Sequence, residues 1–394
     1  MNWYSPAQEL MSQRHIDGWL VYDFRNNNPV LAQLLGGKQR GLSRRVCLYI
    51  PRVGKPTLLT SFIDSTMFGD VTGCDHKVYI SWQEFFAGLK NMVGSGPRIA
   101  MEYVPGALLP VMQLVDAGTI ELVRSFGLEV VSSADLVQMC IARWSPEARS
   151  VHAQSAKLVH QAKDDAFDLI RTAHRNGKEI NEYQVQQFIV DRFNQHGLQY
   201  PDPPIVGVNA HGGDPHFEVS SKNPSPIKPG DWVLIDLWAR IPGDHNIYSD
   251  ITWTGFCGKE VPARHNEVFR AVLAGRDAAI DFCMAAWKRK ETIQGWQIDQ
   301  ACIDAIQARN LGQFIRHRTG HSLSPGSRVH GIGVNIDNLE THDTRTVLAG
   351  VGFTIEPGLY LPEFGVRSEI NMWINPQTGP ELTSEIQRDP ILIA

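Results

Sequence analysis

The sequence of 394 residues has few features of a disulfide-stabilised, exported or nucleic-acid-binding protein. Its six cysteines include no Cys-x-x-Cys pair, and a chain of this length can bury a core without disulfides, so we expect reduced thiols. Lys and Arg number 37 against 42 Asp and Glu, without a basic block, which disfavours a nucleic-acid or anionic-lipid partner. No uncharged apolar run reaches the roughly 18 to 20 residues of a membrane span, and charges interrupt the start of the chain, where a signal peptide has an apolar centre. We therefore expect a cytoplasmic protein that contacts neither nucleic acid nor membrane.

The first 140 residues alternate short β-branched or aromatic runs with helical patterns, which predicts an α/β domain. The predicted strands of this part are Trp19–Tyr22, Val46–Ile50, Thr57–Thr60, Val78–Ile80, Ile99–Glu102 and Glu129–Val131. Ser145, Pro146 and Glu147 then form a helix-start signal in front of a long amphipathic pattern. We therefore expect one domain over residues 1–143 and a second over residues 144–394.

The second part of the chain has strands, then helices, then strands again, which is an α+β pattern. Strands are predicted over Trp232–Leu237, Asn246–Phe256, Gly352–Leu361 and Gly365–Ile374, and helices over Pro262–Trp287 and Gln294–Arg309. Eight of the fourteen histidines lie between His211 and His342, a segment that also has acidic residues inside apolar runs. This concentration predicts that the chemistry of the protein lies in the second domain.

Two aspartates stand in strand-like runs of this segment. Asp236 ends the apolar run that begins at Trp232, which is typical of a strand buried on both faces. A carboxylate buried there needs a metal ion, an arginine or a nest of backbone amides as its partner. Asp250 follows fourteen positions later, across a predicted hairpin, so both carboxylates can face one point. Either residue alone could equally be a hydrogen-bonded turn aspartate.

One histidine and two glutamates complete the set. His321 follows a glycine that allows the backbone to approach whatever the imidazole binds, although a lone histidine is more often an ordinary surface or core residue. Glu356 and Glu369 each end an apolar strand pattern, and Arg367 shares the face of Glu369 at period two. Four carboxylates with one imidazole suit Mn²⁺, Co²⁺ or Zn²⁺, and are enough to bridge two ions. Such a pair of ions can deprotonate a water and stabilise the tetrahedral intermediate of amide hydrolysis.

The five candidate ligands follow one another in the order Asp236, Asp250, His321, Glu356 and Glu369. They lie in or next to the strings Ile-Tyr-Ser-Asp-Ile-Thr, Thr-Gly-His, Thr-Ile-Glu-Pro-Gly-Leu-Tyr and Gly-Val-Arg-Ser-Glu. This order and these strings resemble those of the pita-bread metallopeptidases. That family includes methionine aminopeptidase, aminopeptidase P and prolidase, and the motifs cover residues 200–375. The resemblance implies an α+β pita-bread catalytic domain with pseudo-two-fold symmetry, behind a smaller α/β creatinase-type N-terminal domain.

The resemblance also implies a role for each ligand. Asp250 and Glu369 would bridge two divalent ions, Asp236 would bind one of them, and His321 and Glu356 would bind the other. Glu356 is expected to act in catalysis as well.

The N-terminal domain favours the proline-specific branch, because methionine aminopeptidase usually lacks it. Within that branch, the resemblance implies that His216 contacts substrate and that His330 stabilises the intermediate at the scissile carbonyl, so both are expected to be catalytic as well as substrate-binding. His317 is expected to contact substrate. Arg345 lies eleven residues before Glu356, where prolidases carry an arginine for the carboxylate of the substrate, although it could also be a solvated loop charge.

Several departures from the family pattern affect the expected shape of the substrate pocket. Asp236 and Asp250 are three residues further apart than is usual, and His321 and His330 are two residues further apart. Trp253 stands where the family often has arginine, and Ser322 where glycine is common.

These observations favour an Xaa-Pro dipeptidase that uses two divalent ions, takes small peptides and forms a homodimer. Aminopeptidase P, acting on longer peptides, is the nearest alternative, and a metal-free creatinase-like hydrolase is less favoured. The alternative from another class is an inactive pita-bread module that binds peptides. Such modules typically lose several of the five ligands, whereas all five are present here.

Overall fold

The computed structural model describes residues 2–94 and 98–394, which form two compact units, 1–141 and 142–394. The division falls two residues before the boundary expected at residue 143. Among the described residues, no helix combines the length and the apolar character needed to cross a membrane.

The first unit is built on a six-stranded mixed sheet. Its strands are β1 (Gly18–Phe24), β2 (Arg45–Pro51), β3 (Thr57–Ser61), β4 (Asp75–Tyr79), β5 (Arg98–Met101) and β6 (Glu129–Ser132), in the order β4-β3-β2-β1-β5-β6. Its helices are α1 (Ser5–Arg14), α2 (Pro29–Leu34), α3 (Trp82–Val93), α4 (Ala117–Ser125) and α5 (Ala134–Val137). A capping box of Ser81 and Glu84 starts α3, whose apolar residues pack on the sheet.

The carboxyl group of Glu102 is fully buried in this unit. Glu102, directly after β5, accepts hydrogen bonds from Trp19 Nε1 at 2.7 Å, Asn28 Nδ2 at 2.7 Å and Ser133 Oγ at 2.9 Å. Burial nevertheless raises the pKa of Glu102 to about 7, because the three donors only partly replace the water that the carboxylate loses.

The second unit contains two four-stranded sheets and a short hairpin. The strands are β7 (Ile205–Val208), β8 (Trp232–Ala239), β9 (Ser249–Phe256), β10 (Ser322–Leu323), β11 (Gly352–Ile355), β12 (Gly358–Tyr360), β13 (Gly365–Arg367), β14 (Ile370–Asn375), β15 (Gly379–Leu382) and β16 (Ile391–Leu392). One sheet has the order β16-β9-β8-β7, the other β10-β11-β14-β15, and β12 pairs with β13.

A pair of helices backs each of these sheets. Helices α6 (Pro146–Arg175) and α7 (Glu182–Gln195) share a core with β7 and β8, whereas α8 (Ala263–Arg289) and α9 (Gly295–Gln307) share a core with β11 and β14. Phe167 and Val233 are buried in the first core, and Phe269 and Phe353 in the second. The unit therefore repeats one arrangement twice, two helices over a four-stranded sheet, as the expected pseudo-two-fold symmetry requires.

The structure differs from the predicted strands at the two glutamates. Gly352–Leu361 and Gly365–Ile374, each predicted as one strand, are each interrupted, at Glu356 and at Glu369. Pro357 has no amide hydrogen and cannot continue the ladder. The Glu369 amide donates to the Thr252 carbonyl at 3.1 Å, across to β9, instead of to a neighbour in its own sheet. Both carboxylates therefore lie at breaks between strands, where they can turn toward the other sheet.

Candidate metal centre

The five residues expected to bind metal all line one cavity of about 340 Å³ in the second unit. Asp236 and Asp250 lie on the antiparallel strands β8 and β9, where Asp250 faces Trp238 in the register, two residues after Asp236. His321 immediately precedes β10, and the two glutamates come from the strand breaks. Each half of the unit thus contributes side chains to the cavity.

Three of these side chains form a tight group. The ligand atoms of Asp250, His321 and Glu369 all lie within 4.8 Å of one another, and all three residues are buried. His321 Nε2 is 3.3 Å from Asp250 Oδ2 and 3.5 Å from Glu356 Oε1. Because His321 Nδ1 lies 3.2 Å from the Ser322 carbonyl, to which an Nδ1–H can donate, the lone pair of Nε2 is left facing two carboxylates. A cation between these groups would remove that repulsion.

The pKa values of the cavity residues also indicate a site that would be stabilised by a cation. Burial raises the pKa of Asp250 and of Glu369 well above their usual range, and the neighbouring carboxylates raise both further. Burial also raises the pKa of Glu356 to about 7, against the lowering effect of Arg367. Burial lowers the pKa of His321 well below its usual value, so its imidazole is neutral, as a metal ligand must be.

Two buried carboxylate oxygens lack a protein partner. Within residues 2–94 and 98–394, Asp236 Oδ1 and Glu369 Oε1 have no hydrogen-bond donor. The other oxygens of these groups are engaged: Thr252 Oγ1 donates to Glu369 Oε2 at 2.8 Å, and the guanidinium of Arg367 forms an ion pair with Asp236 Oδ2. Unpaired carboxylate oxygens in a cavity with a neutral imidazole are the donor set that divalent cations prefer, so the residues present fit a divalent metal.

Arg367 connects the metal ligands to a hydrogen-bonded chain. Besides Asp236, it donates from Nε to Thr252 Oγ1 at 2.9 Å and from Nη1 to the Tyr360 hydroxyl at 2.8 Å. The same hydroxyl is 2.7 Å from His317 Nε2. This chain fixes Asp236 and Arg367 together. His317 therefore lies two hydrogen bonds behind Arg367, with the Tyr360 hydroxyl between them, and is not among the residues that line the cavity.

The remaining expected substrate residues are placed differently from one another. His330 lines the cavity, with its ring centroid 3.9 Å from that of His321, and loss of water around its ring, with the charge of Arg318, lowers its pKa to about 4. His216 is exposed and does not line the cavity. Burial lowers the pKa of His317 to about 3, and the charge of His216 contributes to this lowering.

Arg345 does not reach the cavity. Its side chain is buried, and its guanidinium donates to Asp343 from Nε and Nη2 and to the Ile332 carbonyl from Nη1. The expected carboxylate-binding role is not supported by this arrangement, because the donors that would bind a substrate are already paired inside the fold. The alternative of a solvated loop charge is wrong for the same reason, since the side chain is 2% exposed.

Six further residues that line the cavity were not expected: Pro201, Asp202, Trp238, Ser327, Arg328 and Val329. Trp238 shares the face of Asp236, and the period of two along β8 could have indicated it. Arg328 lies in the loop between His321 and His330, where no periodic pattern indicates which side chain faces the ligands.

A family model matches most of the second unit. The family model described as "Metallopeptidase family M24" matches residues 151–376. A relative from Pyrococcus furiosus named Xaa-Pro dipeptidase is 29% identical over 184 residues, which are 45% of this chain and 46% of that protein. Matches to the first relatives cover 55 to 60% of the length of those proteins.

Two solved structures are similar along nearly the whole chain. Dipeptidase PepE from Mycobacterium ulcerans has a TM-score of 0.72 and 19% identity, over 99% of this chain and 97% of that one. The prolidase from Pyrococcus horikoshii has a TM-score of 0.62 and 20% identity, over 99% of both chains. At these identities the similarity concerns the fold, and it confirms the expected α+β pita-bread architecture with its N-terminal α/β domain.

Proposed function

The chain belongs to metallopeptidase family M24, and from this premise we propose that it hydrolyses the Xaa-Pro peptide bond, with dipeptides as its main substrates. One observation carries the proposal. Asp250, His321 and Glu369 converge in a cavity where two buried carboxylate oxygens, Asp236 Oδ1 and Glu369 Oε1, have no hydrogen-bond partner in the described part of the chain. In an inactive module without metal, the electrostatic cost of burying these five ligand side chains together would not be compensated.

We propose that the cavity holds two divalent ions, Mn²⁺, Co²⁺ or Zn²⁺, with Asp250 and Glu369 between them, Asp236 on one and His321 and Glu356 on the other. When bound, such ions supply Lewis-acid polarisation of the scissile carbonyl and lower the pKa of the attacking water. The remaining steps belong to side chains of this protein.

Three side chains have distinct tasks in this proposal. His330, neutral because of its lowered pKa, donates a hydrogen bond to the oxyanion that develops at the carbonyl carbon. Glu356 accepts the proton of the attacking water on a carboxylate oxygen and passes it to the leaving proline nitrogen. Arg367 holds Asp236 in place and balances part of the negative charge. His216 and His317 are proposed to contact the substrate from the side of Tyr360.

A second candidate is aminopeptidase P activity on longer Xaa-Pro peptides. The burial of Arg345 favours it, because the residue that was expected to bind the carboxylate of a dipeptide is not in the cavity. We also propose that the protein works as a homodimer in the cytoplasm, where its six free cysteines would stay reduced.

The discriminating experiment incubates metal-loaded protein with Xaa-Pro dipeptides and with Xaa-Pro-Yaa tripeptides, and separates the products. Faster release of proline from dipeptides supports the dipeptidase. Preferential release of the first residue from tripeptides supports aminopeptidase P. Cleavage of neither, with ions bound, contradicts both.

A further inference from the structure

The two segments that are longer than is usual in the family contact each other beside the cavity. One lies between Asp236 and Asp250, the other between His321 and His330. Arg240, in the first, donates from Nη1 to the Gly326 carbonyl in the second at 2.5 Å. The Tyr248 hydroxyl, also in the first, donates to the Ser327 carbonyl at 3.4 Å. The two longer segments are therefore joined to each other by hydrogen bonds.

Arg240 is the buried residue that connects the two segments. It is 2% exposed, and its guanidinium carbon lies 4.6 Å from the centroid of the Tyr248 ring. Its Nε and Nη2 donate to Gln199 Oε1 at 3.1 and 3.0 Å, and the backbones of residues 199 and 240 exchange two hydrogen bonds. Gln199 immediately precedes the stretch in which Pro201 and Asp202 line the cavity. One guanidinium thus ties together both loops of the cavity rim.

The loop that carries Arg328 is also fixed at its ends and at its turn. The Gly331 amide donates to the Ser322 carbonyl at 2.7 Å, and the Ile332 amide to Ser324 Oγ at 3.1 Å. Gly326 has a φ of 136°, which residues with a β-carbon rarely adopt. Arg328 is therefore presented at the rim by a loop of defined shape.

Arg328 is exposed at the rim of the cavity. Among the residues that the structure describes, its guanidinium makes no hydrogen bond or ion pair, and it is the single Lys or Arg lining the cavity. The carboxylates that line the same cavity are Asp202, Asp236, Asp250, Glu356 and Glu369. Of these, all except Asp202 are the expected metal ligands. An exposed guanidinium at the mouth of such a cavity is available for an anionic group of the ligand.

We propose that Arg328 binds the free C-terminal carboxylate of the substrate, and that Arg240 positions it by fixing the rim loops. This inference rests on the proposed peptidase function and deepens it, because it names the residue that would select dipeptides. The cavity of about 340 Å³, at the small end of the range for ligand sites, agrees with a short substrate. In this proposal Arg328 binds the substrate carboxylate in place of Arg345, whose donors are paired with Asp343.

The test compares alanyl-proline with alanyl-prolinamide, which share the scissile bond and differ in the carboxylate. We expect the wild type to prefer the acid by about tenfold or more in kcat/KM. Arg328→Met should lower kcat/KM for the acid by about 10- to 100-fold, the effect of losing a charge-assisted hydrogen bond, and for the amide by less than about threefold. Arg309→Met is the matched control, because Arg309 is exposed and lies outside the cavity. Equal losses on both substrates, or a wild type that does not distinguish them, would overturn the role of Arg328.

Binding separates failure of this inference from failure of the proposed function. If the metal-loaded wild type cleaves neither substrate, the proposed function fails. Calorimetry with the alanyl-proline analogue in which a methylene replaces the scissile carbonyl, as acid and as amide, then tests Arg328 alone. Tighter binding of the acid, lost in Arg328→Met, supports the inference, and equal binding of both forms overturns it.

Arg240 is tested by selectivity instead of by total activity. Arg240→Met should bring the acid-to-amide ratio of kcat/KM close to that of Arg328→Met, with metal content unchanged. A variant with lower activity on both substrates and an unchanged ratio would show a merely structural role and would overturn the positioning role.

Discussion

The guanidinium of Arg345 forms a buried ion pair with Asp343, with Nη2 at 2.5 Å from Oδ2 and Nε at 2.9 Å from Oδ1. Asp343 also accepts the Asn335 amide at 2.8 Å, and Arg345 Nη1 donates to the Ile332 carbonyl at 2.8 Å. The pair thus ties together the segment between His330 and β11. Its role in this structure is to stabilise the fold.

We therefore expect Arg345→Met to reduce stability and leave substrate selectivity unchanged. Removing one partner leaves the buried Asp343 carboxylate unpaired, which costs about 3 to 5 kcal/mol of unfolding free energy. Denaturant unfolding measures this loss against Arg309→Met, which should be near neutral. A stable Arg345→Met variant that loses activity on the dipeptide acid alone would instead restore Arg345 as the carboxylate-binding residue.

Asp250→Ala should abolish metal binding at both positions and nearly all activity. In the proposed arrangement this carboxylate lies between the ions, and its oxygen is already 3.3 Å from His321 Nε2. Elemental analysis after gel filtration measures the bound metal. Asp244→Ala is the control, because Asp244 is exposed in the connection between the same two strands. Two ions retained at full occupancy in Asp250→Ala would contradict the bridging role.

His330→Ala should lower kcat by about 10² to 10³ with metal content intact, because the proposed role of this ring is to donate to the developing oxyanion. The His330 ring lies beside His321 in the cavity but is not in the group of closely spaced ligand atoms. The exposed His245 provides the control variant His245→Ala. A change confined to KM would indicate ground-state binding instead.

Glu102 should make the first unit less stable as the pH rises. Burial raises its pKa from the usual 4.5 to about 7, so the folded state holds a proton that the unfolded state has released. The stability from this group is complete below about pH 4.5 and is lost as the pH rises through 7. Between pH 5 and pH 8 the loss is on the order of 2 kcal/mol.

Glu102→Gln provides the comparison, because glutamine does not titrate. Denaturant unfolding of both proteins at pH 5 and pH 8 should show a smaller pH-dependent change in the variant, whatever its absolute stability. An equal change in both proteins would mean that Glu102 does not hold the proton.

Three candidate ligands, Asp236, Glu356 and Glu369, could be predicted because each ends an apolar strand pattern, where a carboxylate is conspicuous. Asp250 and His321 had weaker signals, the predicted hairpin and a preceding glycine. Asp236 and Asp250 lie on paired strands, as the predicted hairpin requires. The break at Glu369 was not predicted, because it depends on a hydrogen bond from the Glu369 amide to the Thr252 carbonyl, more than a hundred residues away. The break at Glu356 had a local signal in Pro357, which cannot continue the ladder.

The arrangement of the loops at the cavity rim could not be predicted either, because it depends on contacts between residues that are far apart in the sequence. Arg328 is presented by a loop whose shape depends on Arg240, 86 positions from the carbonyl of Gly326 that it binds. Arg345 was assigned by its distance from Glu356 along the chain, but its nearest partner, Asp343, is only two residues away. That Asp-x-Arg spacing was a local signal for an internal ion pair.

The most direct test of the account is a metal titration of activity. Protein stripped with a chelator is titrated with Mn²⁺ while alanyl-proline hydrolysis and bound metal are measured in the same samples. We predict no hydrolysis in the stripped protein and full activity when two ions are bound per chain. Hydrolysis that persists without metal, or its absence with two ions bound, would contradict the account.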